Sequence, residues 1–290
     1  MFMEQLSNGI ALGSIYALTA IGFTMVYGII RLINFVHGDI YMMGAFFALT
    51  GLTVLGLPLI PSFLLGMIGA SIVGVLLAKF AYSPVFKAPR INLLLCAIGA
   101  AIFLENFAML VWGPETQSFP TLIENKTYSI FGFKATTLQL IILGVSIALV
   151  LILTYIVKYT KLGRAMRCTS QDMEAAKLMG INTNRVVYFT FMIGSSLGAA
   201  AGVLVGMYYK AAYPMMGFTA GLKAFVSAVI GGIGNIPGAM LGGLIMGVSE
   251  SLGAAYISSG YRDAIAFIIL IFILLVKPSG ILGKSVKEKV

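Results

Sequence analysis

Four ionisable side chains lie inside or beside long apolar runs: His37, Asp39, Glu105 and Glu250. Such residues could relay a proton or hold a charged ligand. An acid at the centre of a bilayer costs about 2.5–3.5 kcal/mol on insertion scales, so it normally faces protein or water. A chain of them would suggest a proton-coupled carrier. Two isolated acids do not, and Glu250, near a helix end, reads as structural. No nucleophile–base pair accompanies them. His37 is the one histidine, and Cys96 and Cys168 lie far apart, so neither a zinc site nor a disulfide framework is indicated. Residues 278–285 nearly match a phosphate-binding loop. Pro278 stands where glycine should lead, however, and an apolar segment precedes the run instead of a strand. The run reads as a basic tail. No catalytic site and no cofactor is expected.

Two stretches look like interrupted helices. One holds Arg31, Asn34, His37, Gly38 and Asp39; the other holds Gly231, Gly232, Gly234, Asn235 and Pro237. Glycine- or proline-broken segments at matching places in two halves point to a translocation pathway. The alternative is a pair of tight loops in which Asp39 or Asn235 caps the next helix. A third pattern, Gly194, Gly198, Gly202 and Gly206, repeats every fourth residue. Small residues at that spacing let helix backbones approach closely in lipid, so this stripe predicts helix packing.

The elements that must position these residues are membrane helices. Of the 290 residues 59% are hydrophobic and only 10% charged, against about a quarter charged in soluble domains. No charge falls between Glu4 and Arg31, Lys134 and Lys158, Arg185 and Lys210, or Lys223 and Glu250. A spanning helix needs about 20 apolar residues. The chain reads as an all-α, polytopic bundle with eight or nine membrane segments, a single domain over 1–290. Nine apolar runs are expected at 6–30, 37–56, 61–80, 91–112, 138–157, 186–208, 221–234, 237–257 and 263–276, and the seventh is short enough to dip in only partway. The first run lacks a basic leader and should remain as a membrane helix.

Placing the loops after the odd-numbered segments in the cytoplasm puts 14 of the 19 Lys and Arg inside, Lys223 and Arg262 being among the five outside. The positive-inside rule then sets the N-terminus outside and the C-terminus inside. The basic residues are orientation signals near anionic lipid headgroups, so the net charge of +9 does not imply nucleic acid. Residues 113–137 form the main outer loop, with short strands or a cap. The inner loop 158–185 should carry one helix over 169–180, with Thr169 and Asp172 in a capping box and Gly180 in a left-handed C-terminal position. Its apolar face could pack on the bundle, lie on headgroups, or dock on a partner.

Glu174-Ala175-Ala176 followed by Gly180 resembles the EAA loop of ABC-importer membrane subunits. The preceding run with Gly163, Arg164 and Arg167, the following Gly180-Ile181-Asn182, and the stretches 34–39 and 231–238 are similar to branched-chain amino acid permeases of the LivH type. The resemblance implies a coupling role for Gly163, Arg164, Arg167, Glu174, Ala175, Ala176, Gly180 and Ile181. It implies as partners a second, LivM-like permease, two cytosolic ATPases that bind ATP, and a periplasmic solute-binding protein. Leucine, isoleucine and valine would be the cargo. A urea or short-amide permease of the same fold is the nearest rival, and a stand-alone secondary transporter a more distant one.

Overall fold

The computed structural model describes residues 2–31, 34–86, 88–120, 123–130 and 133–283. Each apolar run expected from the sequence forms a helix. In chain order the helices are α1 (Phe2–Ile30), α2 (His37–Thr53), α3 (Leu59–Leu76), α4 (Arg90–Trp112), α5 (Thr137–Tyr159), α6 (Lys161–Gln171), α7 (Met173–Leu178), α8 (Thr183–Tyr209), α9 (Met216–Gly231), α10 (Ile236–Tyr256) and α11 (Arg262–Val276). Seven helical stretches among the described residues are long and apolar enough to cross a membrane, the last being α11 together with the turn before it, Ser259–Val276; α2 and α9 are shorter than these stretches. Of the expected basic tail, Lys284 and the residues beyond it lie outside the described residues, as do Lys87 and Phe131.

The bundle has a buried centre and an apolar rim. In the most apolar stretch of α1, 94% of residues are buried, and in α8 78%; in the last spanning helix the share is 6%. What draws α1 inward is small residues. A Cβ on Gly9 would stand 2.7 Å from Val248 Cα, and one on Gly13 2.9 Å from Leu244 Cα, so α1 and α10 pack backbone to backbone. Packing of this kind replaces the hydrophobic drive that lipid does not supply.

The described residues of the 113–137 stretch include three short strands. β2 (Thr127–Ile130) and β3 (Phe133–Thr136) make an antiparallel hairpin, while β1 (Gln117–Ser118) pairs with β4 (Ala211–Ala212). Glu4, at the start of α1, pairs with Lys134 of the hairpin at 3.0 Å. This face of the bundle is the hairpin end; α6 and α7 mark the opposite, loop end. Thr136 opens α5 with a capping box: its hydroxyl accepts from the Gln139 N–H, and its own N–H donates to Gln139 Oε1.

Two expectations need correction. The stretch 169–180 is not one helix. Asp172 breaks it, ending α6 and capping α7 by accepting from the N–H groups of Glu174 and Ala175 at 2.9 and 3.0 Å. Thr169 takes no part in a cap, because its hydroxyl bonds back to Ala165 O inside α6. Secondly, the seventh segment begins at Met216, not 221, so Lys223 lies well inside the helix and not at its outer edge.

Candidate functional site

The chain doubles back inside the bundle twice. After α1 it returns to start α2 at His37, whose ring packs against Gly22 of α1 and Gly198 of α8. After α8 it returns to start α9, whose Gly217 and Gly221 lie against Gly38. The first turns of two half-length helices therefore meet in the interior. A Cβ on Gly38 would collide with Gly217 O, and one on Gly217 would stand 2.7 Å from Gly38 O. Neither helix has a side-chain cap. Asp39 in the first turn of α2 aims Oδ1 at the first turn of α9, 2.8 Å from where a Gly217 Cβ would be. One carboxylate thus faces the positive ends of two helix dipoles.

Asn34, His37 and Asp39 are 1%, 1% and 3% exposed. Tyr82 donates to Asn34 Oδ1 at 2.6 Å. His37 Nε2 lies 3.1 Å from Thr19 O, and since a carbonyl only accepts, that nitrogen carries the proton. Among the described residues, Asn34 Nδ2, His37 Nδ1 and Asp39 Oδ1 find no hydrogen-bond partner. Each such atom costs about 1–3 kcal/mol in a dry interior.

The second break from the sequence lies elsewhere. Gly231, Gly232, Gly234 and Asn235 form the loop-end turn between α9 and α10, apart from the crossing. Asn235 caps α10 by accepting from the Gly238 N–H, and its amide donates to Leu282 O at 2.8 Å. The N–H groups of Ile281 and Leu282 donate to Ile230 and Gly231 carbonyls. This turn seats the segment that follows α11. The Gly194–Gly206 stripe runs along the crossing: Gly194 meets Gly22, Gly198 His37, Gly202 the Tyr41 carbonyl and Gly206 the Phe119 ring.

Sequence reading missed an ion cluster built on the buried Glu250. Lys223 of α9 pairs with Glu250 of α10 at 2.9 Å and with Asp263 of α11 at 3.0 Å. Tyr16 donates to the other Glu250 oxygen at 2.8 Å. The available signal was opposite charges set in two separate apolar runs, Lys223 and Glu250.

At the loop end, α6 folds tightly onto the end of α5. A Cβ on Gly163 would strike the Ile156 and Val157 carbonyls, and Arg167 donates to the Val157 and Lys158 carbonyls. A cation at a helix C-terminus is favourable there. Met166 is buried while Arg164 and Arg167 are exposed. In α7 Ala176 faces inward, and Glu174, Ala175, Lys177, Leu178 and Met179 face out. Gly180, at φ 80°, closes α7: its N–H donates to Lys177 O and that of half-buried Ile181 to Ala176 O. This paired pattern is a Schellman motif, which needs a left-handed residue at the glycine.

Among the described residues no group of three His, Cys, Asp or Glu could hold a metal. The chain is 45% identical to the high-affinity branched-chain amino acid transport system permease protein LivH of Salmonella typhimurium, over 100% of this chain and 98% of that one. It is 44% identical to the corresponding BraD protein of Pseudomonas aeruginosa at the same coverage. Among solved structures, PsaBC from Streptococcus pneumoniae in complex with Fab aligns with a TM-score of 0.53 at 12% identity, covering 95% of this chain and 92% of that one, a likeness of fold alone. Residues 5–274 match the family described as branched-chain amino acid transport system / permease component, and the chain belongs to that family of membrane permease subunits.

Proposed function

We propose that this chain is the membrane permease subunit of an ATP-driven importer of branched-chain amino acids. The observation that carries this reading is the likeness, along essentially the whole chain, to permeases named for that cargo. The chain acts as one domain in the inner membrane, its nine helical segments crossing or entering the bilayer. The N-terminus and the 113–137 loop face the periplasm, and α6, α7 and the C-terminus face the cytoplasm. This orientation rests on the bias of Lys and Arg toward the loop end. ATP is bound and hydrolysed by two partner ATPases. A second, LivM-like permease completes the channel, and a periplasmic binding protein delivers cargo.

Coupling runs through α6 and α7. Gly163 and Arg167 fix α6 to α5, so a push on α7 reaches the bundle through a short, capped elbow. Exposed Leu178 and Met179, with exposed Glu174 and Lys177 on the same short helix, suit a protein surface better than water. The cargo path passes the crossing of α2 and α9, near Asn34, His37, Gly38 and Asp39, and continues toward the 231–235 turn. Unpartnered buried polar atoms are tolerable at a joint that exchanges partners as it moves. The test is reconstitution in liposomes. Leucine uptake is expected only with ATP, the ATPases and the second permease present. Robust uptake by the purified chain alone would overturn the reading.

A further inference from the structure

A cavity of about 420 Å3 opens at the hairpin end between α9, α10 and α11, within the range of small-molecule sites. One face of α9 lines it, with Met216, Thr219, Ala220 and Lys223 at helical spacing. The remaining wall carries tyrosines 16, 41, 209 and 213 and the charged groups Glu250, Arg262 and Asp263. We infer that this cavity holds the head group of a free α-amino acid, the carboxylate on Lys223 and the ammonium on Asp263. This deepens the importer reading and rests on it.

The charge pattern selects the ligand class. Two basic and two acidic side chains balance, so the cavity carries no net charge to favour a simple ion of either sign. A zwitterion needs both signs at short range and leaves the balance unchanged. The tyrosines add apolar ring faces for an aliphatic side chain and hydroxyls for the polar end.

The two partners of Lys223 differ in a way that suits exchange. Glu250 is 1% exposed and is also held by Tyr16. Losing its cation would leave a buried charge unpaired, so this contact is fixed. Asp263 is 65% exposed at the cavity mouth, and its pair with Lys223 is weak because water screens it. An incoming carboxylate can take the place of Asp263 on Lys223. Asp263 then turns to the ammonium, and no ion is left alone.

The test uses the assembled importer in nanodiscs without its binding protein, carrying Thr219→Cys in a Cys96→Ser, Cys168→Ser background. A hydrophilic maleimide labels the cavity from the hairpin side. Leucine is expected to slow labelling, whereas isocaproate, which lacks the ammonium, and isoamylamine, which lacks the carboxylate, are not. Asp263→Asn, at an exposed position that leaves the fold intact, should raise the half-protecting leucine concentration about tenfold or more, the loss of one charge-assisted hydrogen bond. Lys223→Met should abolish protection. Equal protection by the two half-analogues, or unchanged protection in Asp263→Asn, overturns the site. Leucine uptake by the same importer with its binding protein restored separates the two failures. No uptake sinks the importer reading, whereas uptake without protection sinks only this site.

Discussion

The two places where the chain doubles back share a backbone path but not a chemistry. α1 and α8 end at Arg31 and Lys210, both left-handed at φ 54° and 56°. Each N–H donates one turn back, to Tyr27 O and Gly206 O. Asn34 and Tyr213 then hold matching positions, their carbonyls accepting from the N–H groups of His37 and Met216 at 3.2 and 3.1 Å. Gly38 and Gly217 follow and touch each other reciprocally, as residues on a pseudo-two-fold axis do. The side chains diverge. The first return carries buried Asn34, His37 and Asp39; the second carries Tyr213 and Phe218, 41% and 62% exposed, with Met216 on the cavity wall. Geometry at the contact leaves room only for glycine on both sides. Beyond it, one return is buried in the interior and the other faces the cavity.

The largest expected effects test the shared part. Gly38→Val and Gly217→Val should each cost about 3 kcal/mol, the upper end for overpacking against a rigid neighbour. Both should lower membrane yield and thermal aggregation temperature by similar amounts. Tolerance of one and not the other would break the pairing. Gly202→Leu belongs to the same class, because its side chain would enter the Tyr41 carbonyl.

The next effect tests the divergent part. Asn34→Ala strips the partner from the fully buried Tyr82 hydroxyl, at about 1–3 kcal/mol. Tyr213→Ala, at the matching but exposed position, should change thermal stability by no more than about 0.5 kcal/mol. Equal losses in a melting experiment would mean that the second return is as sealed as the first.

Which of these features the sequence shows follows from what kind of signal each one leaves. Run length is one-dimensional, so all nine apolar runs could be read; at 31–39 the residues leave two readings open, a broken helix or a tight loop. The second return was not visible, because Lys210, Tyr213 and Pro214 look like an ordinary loop. Its match to the first lies in φ at Lys210 and in one turn hydrogen bond, and neither depends on residue type. Composition pairs 231–238 with 31–39; backbone geometry pairs 210–217 with it. A lysine in the third position of an expected apolar run, 221–234, reads as lying at its outer edge, and only the fold brings Glu250 to it. The break at Asp172 was hidden for a simpler reason: one residue separates α6 from α7, and helix formers flank it on both sides.

The smallest stability effect concerns left-handed positions, which the chain fills in two ways. Arg31 and Lys210 accept the strain of a side chain at positive φ, whereas at φ 80° Gly180 avoids it. A left-handed residue with a Cβ costs about 1–2 kcal/mol. Lys210→Gly should therefore be neutral or slightly stabilising in a melting experiment. Gly180→Val should lose about 1–2 kcal/mol, and only locally, since a Cβ at 180 meets nothing among the described residues within 4 Å. The permease should still insert and melt as a bundle, because no helix contact of the core passes through residue 180. What changes is the exit from α7: without the Schellman turn, the N–H groups of residues 180 and 181 lose their carbonyl partners and the elbow loosens. If the elbow carries force from the ATPases, uptake should fall far more than stability, with ATP still hydrolysed. Gly180→Asn, which tolerates the left-handed region, should restore much of it. Normal uptake in Gly180→Val would mean that α7 rests on the membrane surface and carries no force.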